Sequence, residues 1–302
     1  MSIFTKSKRK VSFWRIIGWL FIILWILLTL IPLWWVVRMA FSTQRDIMAN
    51  PTSILPVNPT LDAFKRVFGL IPVEQAIAQG GFTRKLDFLL YLRNTILVTA
   101  FSIGGGLFFN SLAAYAFARL HFPWKNKLFT IYIGALIMPT VLNLIPNFIL
   151  IKDLGLYGTL SGVIAPSFFG SAFGVFFLRQ FFLGINAELE DAAKLDGAGT
   201  LTIFFKIVMP MSLPPILTVS ILSFIDTWNA FQWPYFAGGM GTKPEATVLT
   251  VALAAFRAQQ QSGLPDFTGM MAGTLVSMLP MVVIFLFLGR KVIDNIQFTG
   301  IK

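Results

Sequence analysis

Residues 190–215 read EDAAKLDGAGTLTIFFKIVMPMSLPP. Four charged side chains, Glu190, Asp191, Lys194 and Asp196, crowd the first seven positions, in a chain whose charged residues make up only 12%. Asn186 is suited to cap a helix beginning at Ala187, and Glu188, Glu190 and Asp191 fall in its first turns, where negative charge suits the helix dipole. Glu190 and Lys194 stand at i,i+4 in the favourable order. Ala192 and Ala193 let a partner surface come close, and Gly197 is placed to end the helix in the left-handed conformation. Thr200 opens a second helix whose Leu201, Phe204, Phe205 and Val208 form one apolar stripe at i, i+3, i+4 and i+7. Pro210, Pro214 and Pro215 then mark entry into an apolar segment. A charged helical hairpin of this kind is either an interfacial linker or a knob for a partner.

The surroundings of the hairpin are apolar. Hydrophobic residues are 56% of the 302-residue chain, and its mean hydropathy is +0.75. Apolar runs near the ~20 residues that a spanning helix needs occur at 14–37, 94–117, 128–150, 158–181, 212–236 and 270–289. The expected class is therefore all-α and polytopic, with six transmembrane helices. The first run lacks a small-residue cleavage site and reads as a retained anchor. The second ends in NSLAAYAFARLHFPWKNK (110–127), whose small residues admit a neighbouring helix. With no cysteine, disulfides and thiolate chemistry are excluded, and the lone His121 lies in a basic loop. The net charge of +11 is spread over loops and does not point to nucleic acid.

Lys and Arg in the short flanks set the orientation. The N-terminus holds Lys6, Lys8, Arg9, Lys10 and Arg15, the loop after the second run holds Arg119, Lys125 and Lys127, and the tail holds Arg290, Lys291 and Lys302. Both termini and the hairpin are expected in the cytoplasm. The chain divides into a basic N-terminus (1–13), a first transmembrane helix (14–37), an extracytoplasmic segment (38–93) and a core (94–302) that carries the hairpin loop 184–211. The prolines of NPTSILPVNPTLDAF (50–64) favour irregular backbone in the external segment. Its Lys65, Arg66, Arg84 and Lys85 do not overturn the assignment, because long loops cross largely regardless of charge.

The spacing of Asp191, Ala192, Ala193, Gly197, Ile207 and Pro210 resembles the EAA loop of inner-membrane permeases of binding-protein-dependent ABC importers. That loop reads E-A-A, three residues, G, nine residues, then I-x-L-P. Asp191 stands where the motif has Glu and Met209 where it has Leu. Glu190 precedes Asp191, which leaves open which carboxylate makes the key contact. NSLAAYAFARLHFPWKNK, SAFGVFFLRQFFLGI and DTWNAFQWP are similar to stretches of the MalG-type subunit of carbohydrate importers. The resemblance implies a second, MalF-like permease chain, two ATP-binding subunits each receiving one hairpin in a groove, and an extracytoplasmic substrate-binding protein that delivers the sugar. It implies residence in the inner (cytoplasmic) membrane of a prokaryote. ATP and magnesium would belong to the partner subunits, leaving this chain without a cofactor, a metal or a catalytic residue. Consistently, the sequence has no G-x-x-x-x-G-K-[ST] phosphate loop, and Gly104–Gly106 lie inside an apolar run and read as helix packing.

The fifth run supplies the candidate pathway residues. Asp226 is an intramembrane carboxylate, to be read as a functional group or as a hydrogen-bond partner for a neighbouring helix. Trp228 and Trp233 offer flat apolar faces, and Asn229 and Gln232 offer paired donors and acceptors, as a sugar requires. A tryptophan near a span end is equally an interfacial anchor. Asn143 and Asn147 of the third run are further candidates, or interhelical hydrogen-bond partners. The loop 237–269 either reaches into the binding protein or is a surface loop with a short re-entrant helix.

Three other functions compete. An ion-coupled secondary transporter needs a chain of intramembrane ionisable groups, and Asp226 stands nearly alone. An ABC permease for peptides, amino acids or phosphorylated sugars fits the hairpin equally well. A non-transporting scaffold leaves the hairpin unexplained. The topology predicts that Lys125→Cys and Gly197→Cys are protected from an impermeant thiol reagent on intact cells, whereas Gly80→Cys and Gly263→Cys are labelled. Labelling at 197 but not at 80 reverses the orientation.

Overall fold

An apolar run of roughly 20 residues can satisfy its backbone only as a helix when its surroundings are hydrocarbon. The computed structural model, which describes residues 13–78, 87–254 and 265–298 (backbone alone for 288–298), is accordingly helical, with no strand among the described residues. Four helices or helix pairs are long and apolar enough to cross a membrane: Phe13–Ala40, Phe88–Arg119, Leu160–Leu183 and Phe267–Phe287. Two further pairs qualify only if each is counted as one bent span, which brings the number to six. The chain is an all-α, multi-pass membrane protein.

In chain order, α1 spans Phe13–Ala40, α2 Gln44–Ala49, α3 Asp62–Val67, α4 Val73–Ala78 and α5 Phe88–Arg119. Next come α6 (Lys125–Gly134), α7 (Leu144–Asp153), α8 (Leu160–Phe168) and α9 (Ala172–Leu183). The hairpin comprises α10 (Ala187–Leu195), α11 (Thr200–Ile203), a π-helical turn over Phe204–Val208, and α12 (Met209–Met211). The remainder is α13 (Leu213–Asn229), α14 (Gln232–Ala237), α15 (Leu249–Ala254) and α16 (Phe267–Phe298).

The expected third span, 128–150, is two arms, Lys125–Ile137 and Thr140–Asp153, that meet at 100°. Pro139 causes the break: it has no N–H to donate, and it forces the preceding Met138 into extended backbone with ψ 124°. The expected fifth span, 212–236, also departs from a single rod. It bends by 76° between the hairpin's second arm and α13, and Ala230–Phe231 separates α13 from α14. The second span starts at Phe88 rather than at residue 94, because Asp87 accepts a hydrogen bond from the Leu90 N–H at 3.1 Å and caps it there.

Helix α5 is the central post, touching α6, α8, α9, α13 and α15. Its small residues seat the break between α8 and α9. A Cβ on Gly105 would collide with the Phe168 ring, and one on Gly106 would lie 3.2 Å from the Ser167 carbonyl, whereas Gly104 faces open space. Asn110 accepts the Ser171 N–H at 2.8 Å and fills the space left by Gly174 and by Gly170, whose φ is +94°.

The segment 38–93 is irregular around its prolines, yet it carries three short helices and joins the core. Ala63, Val67 and Phe88 pack with Leu249, Leu253 and Ala272. Arg66 pairs with Asp266 at 3.2 Å, with side chains 4% and 0% exposed, and donates to Thr268 at 2.6 Å. Asp266 also accepts the Gly269 N–H at 2.7 Å and so caps α16. Of the residues used for orientation, Lys6, Lys8, Arg9, Lys10, Arg84, Lys85 and Lys302, with Gly80 and Gly263, lie outside the described residues, and Arg290 and Lys291 fall where the backbone alone is described.

Removing one partner of a buried ion pair strands the other charge, at a cost of about 3–5 kcal/mol. Arg66→Ala is therefore expected to lower stability by that amount in denaturant unfolding of the detergent-solubilised protein. A loss under about 1 kcal/mol, the value for an exposed pair, would show the pair to be solvated.

Candidate functional site

The hairpin closes by local chemistry. Asn186 Oδ1 accepts the Glu188 N–H at 3.1 Å and caps α10. At the other end Gly197 has φ +82°, its N–H reaches the Lys194 carbonyl at 3.0 Å, and the Ala198 N–H reaches the Ala193 carbonyl at 2.9 Å. This is the paired C-terminal cap that glycine permits. The two carboxylates of the expected acidic patch face different ways. Asp191 pairs with Lys194 at 2.9 Å on the surface, the two side chains 67% and 59% exposed. Glu190 is 5% exposed and lies 2.9 Å from Arg119 at the end of α5. The expected Glu190–Lys194 pair is therefore absent: α10 turns Glu190 inward to the partly buried Arg119, and Lys194 takes Asp191 instead. Arg119 also donates to the Ile185 carbonyl, which ties α5 to the residue just before the cap.

The second arm buries Ile203, Phe204 and Val208. Leu201 and Phe205, expected on that stripe, are 65% and 50% exposed. The π turn adds residues to each rotation and moves the buried face off the 3.6-residue register. Phe204 meets Tyr115 of α5 with ring centroids 5.2 Å apart, in a cluster with Val175, Leu178 and Phe182 of α9 and Val219 of α13. What remains exposed is a tip of Glu188, Asp191, Ala192, Leu195 and Gly197, with Ala193 half-buried and Pro210 exposed where the arm turns toward α13. Leu195 is 90% exposed, an apolar tip residue that motif spacing did not single out.

The second site is a cavity of about 640 Å³ between the two broken spans. Asn143 and Asn147 come from the third span, and Asp226, Asn229, Gln232 and Trp233 from the fifth; Ser102 of α5 and Ser167 of α8 close it. Trp228 does not line it. Its ring is 5% exposed, donates to the Ser277 carbonyl at 3.0 Å and stacks on Phe224, so it belongs to the α13–α16 contact. Trp233 is fixed by donation to the Val163 carbonyl at 2.9 Å while its side chain forms part of the wall.

Two of the interruptions of helical backbone border this space: Thr140 and Asn143 after the Pro139 break, and Ala230 and Phe231 between α13 and α14. Irregular backbone at membrane depth persists only inside protein or against water. The Ala230 carbonyl, freed by the break, is met by the Thr250 hydroxyl at 2.6 Å. Asp226 is exposed in the wall and is the one ionisable residue lining the cavity among the described residues. The buried Ser102 hydroxyl has no partner, and the candidate set drawn from the sequence did not include it.

The loop after α14 is packed rather than free as far as residue 254. Asn94 donates to the Pro244 and Thr247 carbonyls at 3.1 and 2.9 Å, and Leu249, Val251 and Ala252 are buried. Residues 255–264 of that loop lie outside the described residues. No cluster of three metal-ligating side chains occurs among the described residues.

A family model described as "binding-protein-dependent transport system inner membrane component" matches residues 106–296. The chain is 29% identical over 300 residues to a putative ABC transporter permease protein, ORF2, of Caldicellulosiruptor sp. (strain Rt8B.4), covering 99% of each chain. It is 28% identical over 300 residues to the arabinooligosaccharides transport system permease protein AraQ of Halalkalibacterium halodurans, covering 98% of this chain and 99% of that one. The fold is similar to a chain in the crystal structure of a bacterial ABC transporter involved in import of the acidic polysaccharide alginate. There the TM-score is 0.76 and the identity 22%, over 96% of this chain and 99% of that one.

Arg119→Ala leaves Glu190 buried without its cation, a cost of about 3 kcal/mol or more. Hairpin opening should become about a hundredfold more frequent, read as faster amide exchange over 187–195. Asp191→Ala, at the exposed pair, should leave exchange within about threefold. Equal effects of the two substitutions would show that Glu190 is not anchored.

Proposed function

We infer the role of this chain from its membership: it belongs to the family of binding-protein-dependent transport system inner membrane components, and it acts as the permease subunit of an ATP-driven importer of sugars or oligosaccharides. It forms half of a translocation pathway whose other half is a second permease chain. Two cytoplasmic subunits bind ATP and magnesium, and each receives one hairpin. An extracytoplasmic binding protein delivers the solute. This chain hydrolyses nothing and resides in the cytoplasmic membrane of a prokaryote, with its termini and hairpin inside.

One observation carries the reading: the exposed tip and the cavity are joined by a short chain of helices, α10 turning at Gly197 into the second arm and that arm bending by 76° into α13. The second arm runs through α12 into α13, whose far end places Asp226 and Asn229 in the cavity wall. Its 17 residues make a rod about 26 Å long. A second link runs from Glu190 through Arg119 to α5, which carries Ser102 in the opposite wall. Closure of the ATP-binding subunits moves the tip, and the two rods tilt the cavity walls between outward-open and inward-open arrangements. The exposed amides of Asn143, Asn229 and Gln232 and the Trp233 side chain suit a solute that presents hydroxyls and C–H faces. The arabinooligosaccharide relative supports that cargo class.

The test is co-purification of the ATP-binding subunit through a tag on this chain, together with binding-protein-stimulated ATP hydrolysis. Gly197→Val forces a β-branched residue to positive φ, and Asp191→Lys reverses the charge at the tip. Each should leave membrane insertion intact and lower stimulated hydrolysis and uptake together by about tenfold or more, the effect of ~1.4 kcal/mol lost at docking. Normal stimulation in both variants makes the hairpin a linker. Uptake of amino acids or peptides, with no saccharide carried, replaces the carbohydrate cargo.

A further inference from the structure

The cavity wall is electrically one-sided. Its polar lining consists of neutral amides and hydroxyls apart from Asp226, and no lysine, arginine or histidine is among the lining residues. Asp226 is exposed to this space and makes no hydrogen bond or ion pair with the described residues, whereas the buried carboxylates among the described residues, Glu190 and Asp266, are matched by Arg119 and Arg66. A carboxylate on the wall of a cleft flanked by low-dielectric protein focuses negative potential into it. The neighbouring Asn143, at the end of a 3₁₀ turn, and Asn147 of α7 both line the cavity and offer donors and acceptors without net charge.

We propose that this cavity selects by charge: it admits neutral and amino-bearing saccharides and holds back acidic ones, with Asp226 as the residue that sets the sign. The proposal rests on the carbohydrate reading and narrows it. A uronate or sulfonate brought into the cavity meets a like charge with no cation in this chain's wall to offset it. A neutral oligosaccharide meets the amides and the Trp233 side chain, and an ammonium group gains the carboxylate.

The chain has no cysteine, so one introduced thiol reports the local potential. Asn143→Cys, with Asn147→Cys as a second reporter, is placed in the complete importer purified through a tag on this chain. Labelling is followed on this chain alone. Reaction rates with a cationic (trimethylammonium-ethyl) and an anionic (sulfonatoethyl) methanethiosulfonate are each divided by the rate with a free small thiol. The expected cation-to-anion ratio is about tenfold or more, falling to within about twofold of unity in Asp226→Asn. A ratio near unity with Asp226 present, or one that Asp226→Asn leaves unchanged, overturns the proposal. A second measurement uses an uncharged reagent. Maltotriose and chitosan trimer should slow labelling, and trigalacturonate at the same concentration should not. Equal protection by trigalacturonate overturns charge selection while leaving the carbohydrate reading standing. Absence of protection by a panel of neutral pentose and hexose oligosaccharides, with the charge ratio intact, overturns the carbohydrate reading itself.

Discussion

Within a bilayer core every backbone N–H and C=O needs a partner, because lipid supplies none. That constraint explains where this chain is regular and where it is not. Helix α1 runs unbroken, with exposed apolar side chains from Phe13 to Trp35, as a lipid-facing segment must. The third and fifth spans break at Met138–Pro139 and at Ala230–Phe231, and both breaks open onto the same cavity. At the second break the freed Ala230 carbonyl finds the Thr250 hydroxyl. The cavity is a condition for the broken spans as much as a consequence of them.

The hairpin is a short amphipathic element seated against α5 and α9. Contacts of different character hold it: the apolar cluster around Phe204 and Val208, the charged link of Glu190 to Arg119, and the Arg119 hydrogen bond to the Ile185 carbonyl. The ion pair is close, at 2.9 Å, but out of line for a hydrogen bond, so charge rather than directionality holds it. Such a contact tolerates small rotations that would rupture a well-aligned bond. The apolar cluster is non-directional for the same practical purpose.

What was legible in the sequence follows the range of each interaction. Asn186 and Gly197 act on backbone a few residues away, so their roles were readable from spacing. The division into spans was readable because hydropathy is a sum over ~20 neighbours. The inward turn of Glu190 depends on Arg119, 71 positions earlier, and no local rule distinguishes it from Asp191 beside it. The π turn displaced Leu201 and Phe205 from a stripe that a 3.6 period placed correctly on paper. Pro139 was a visible break signal, yet the hydropathy of 128–150 concealed it. Trp228 and Trp233 look alike in the sequence; only the Ser277 carbonyl on α16 separates the buried one from the cavity-lining one. The convergence of Asn143 and Asn147 with Asp226 and Gln232 is a property of two bends, and periodicity within one helix does not encode it.

The buried Arg66–Asp266 pair bears on how the chain is made. Its partners are separated by 200 positions, and translation at ~5–20 residues per second places about 10–40 s between them. Through that interval the membrane already holds the early spans, while the guanidinium of Arg66 has yet to meet its carboxylate. The layer built from α2, α3 and the start of α5 therefore matures only when the last helix arrives. Asp266 sits at the threshold of that helix and caps it, so a single carboxylate both starts α16 and closes the layer made first. The last helix thus supplies the charge that the early external segment lacks until that helix is made.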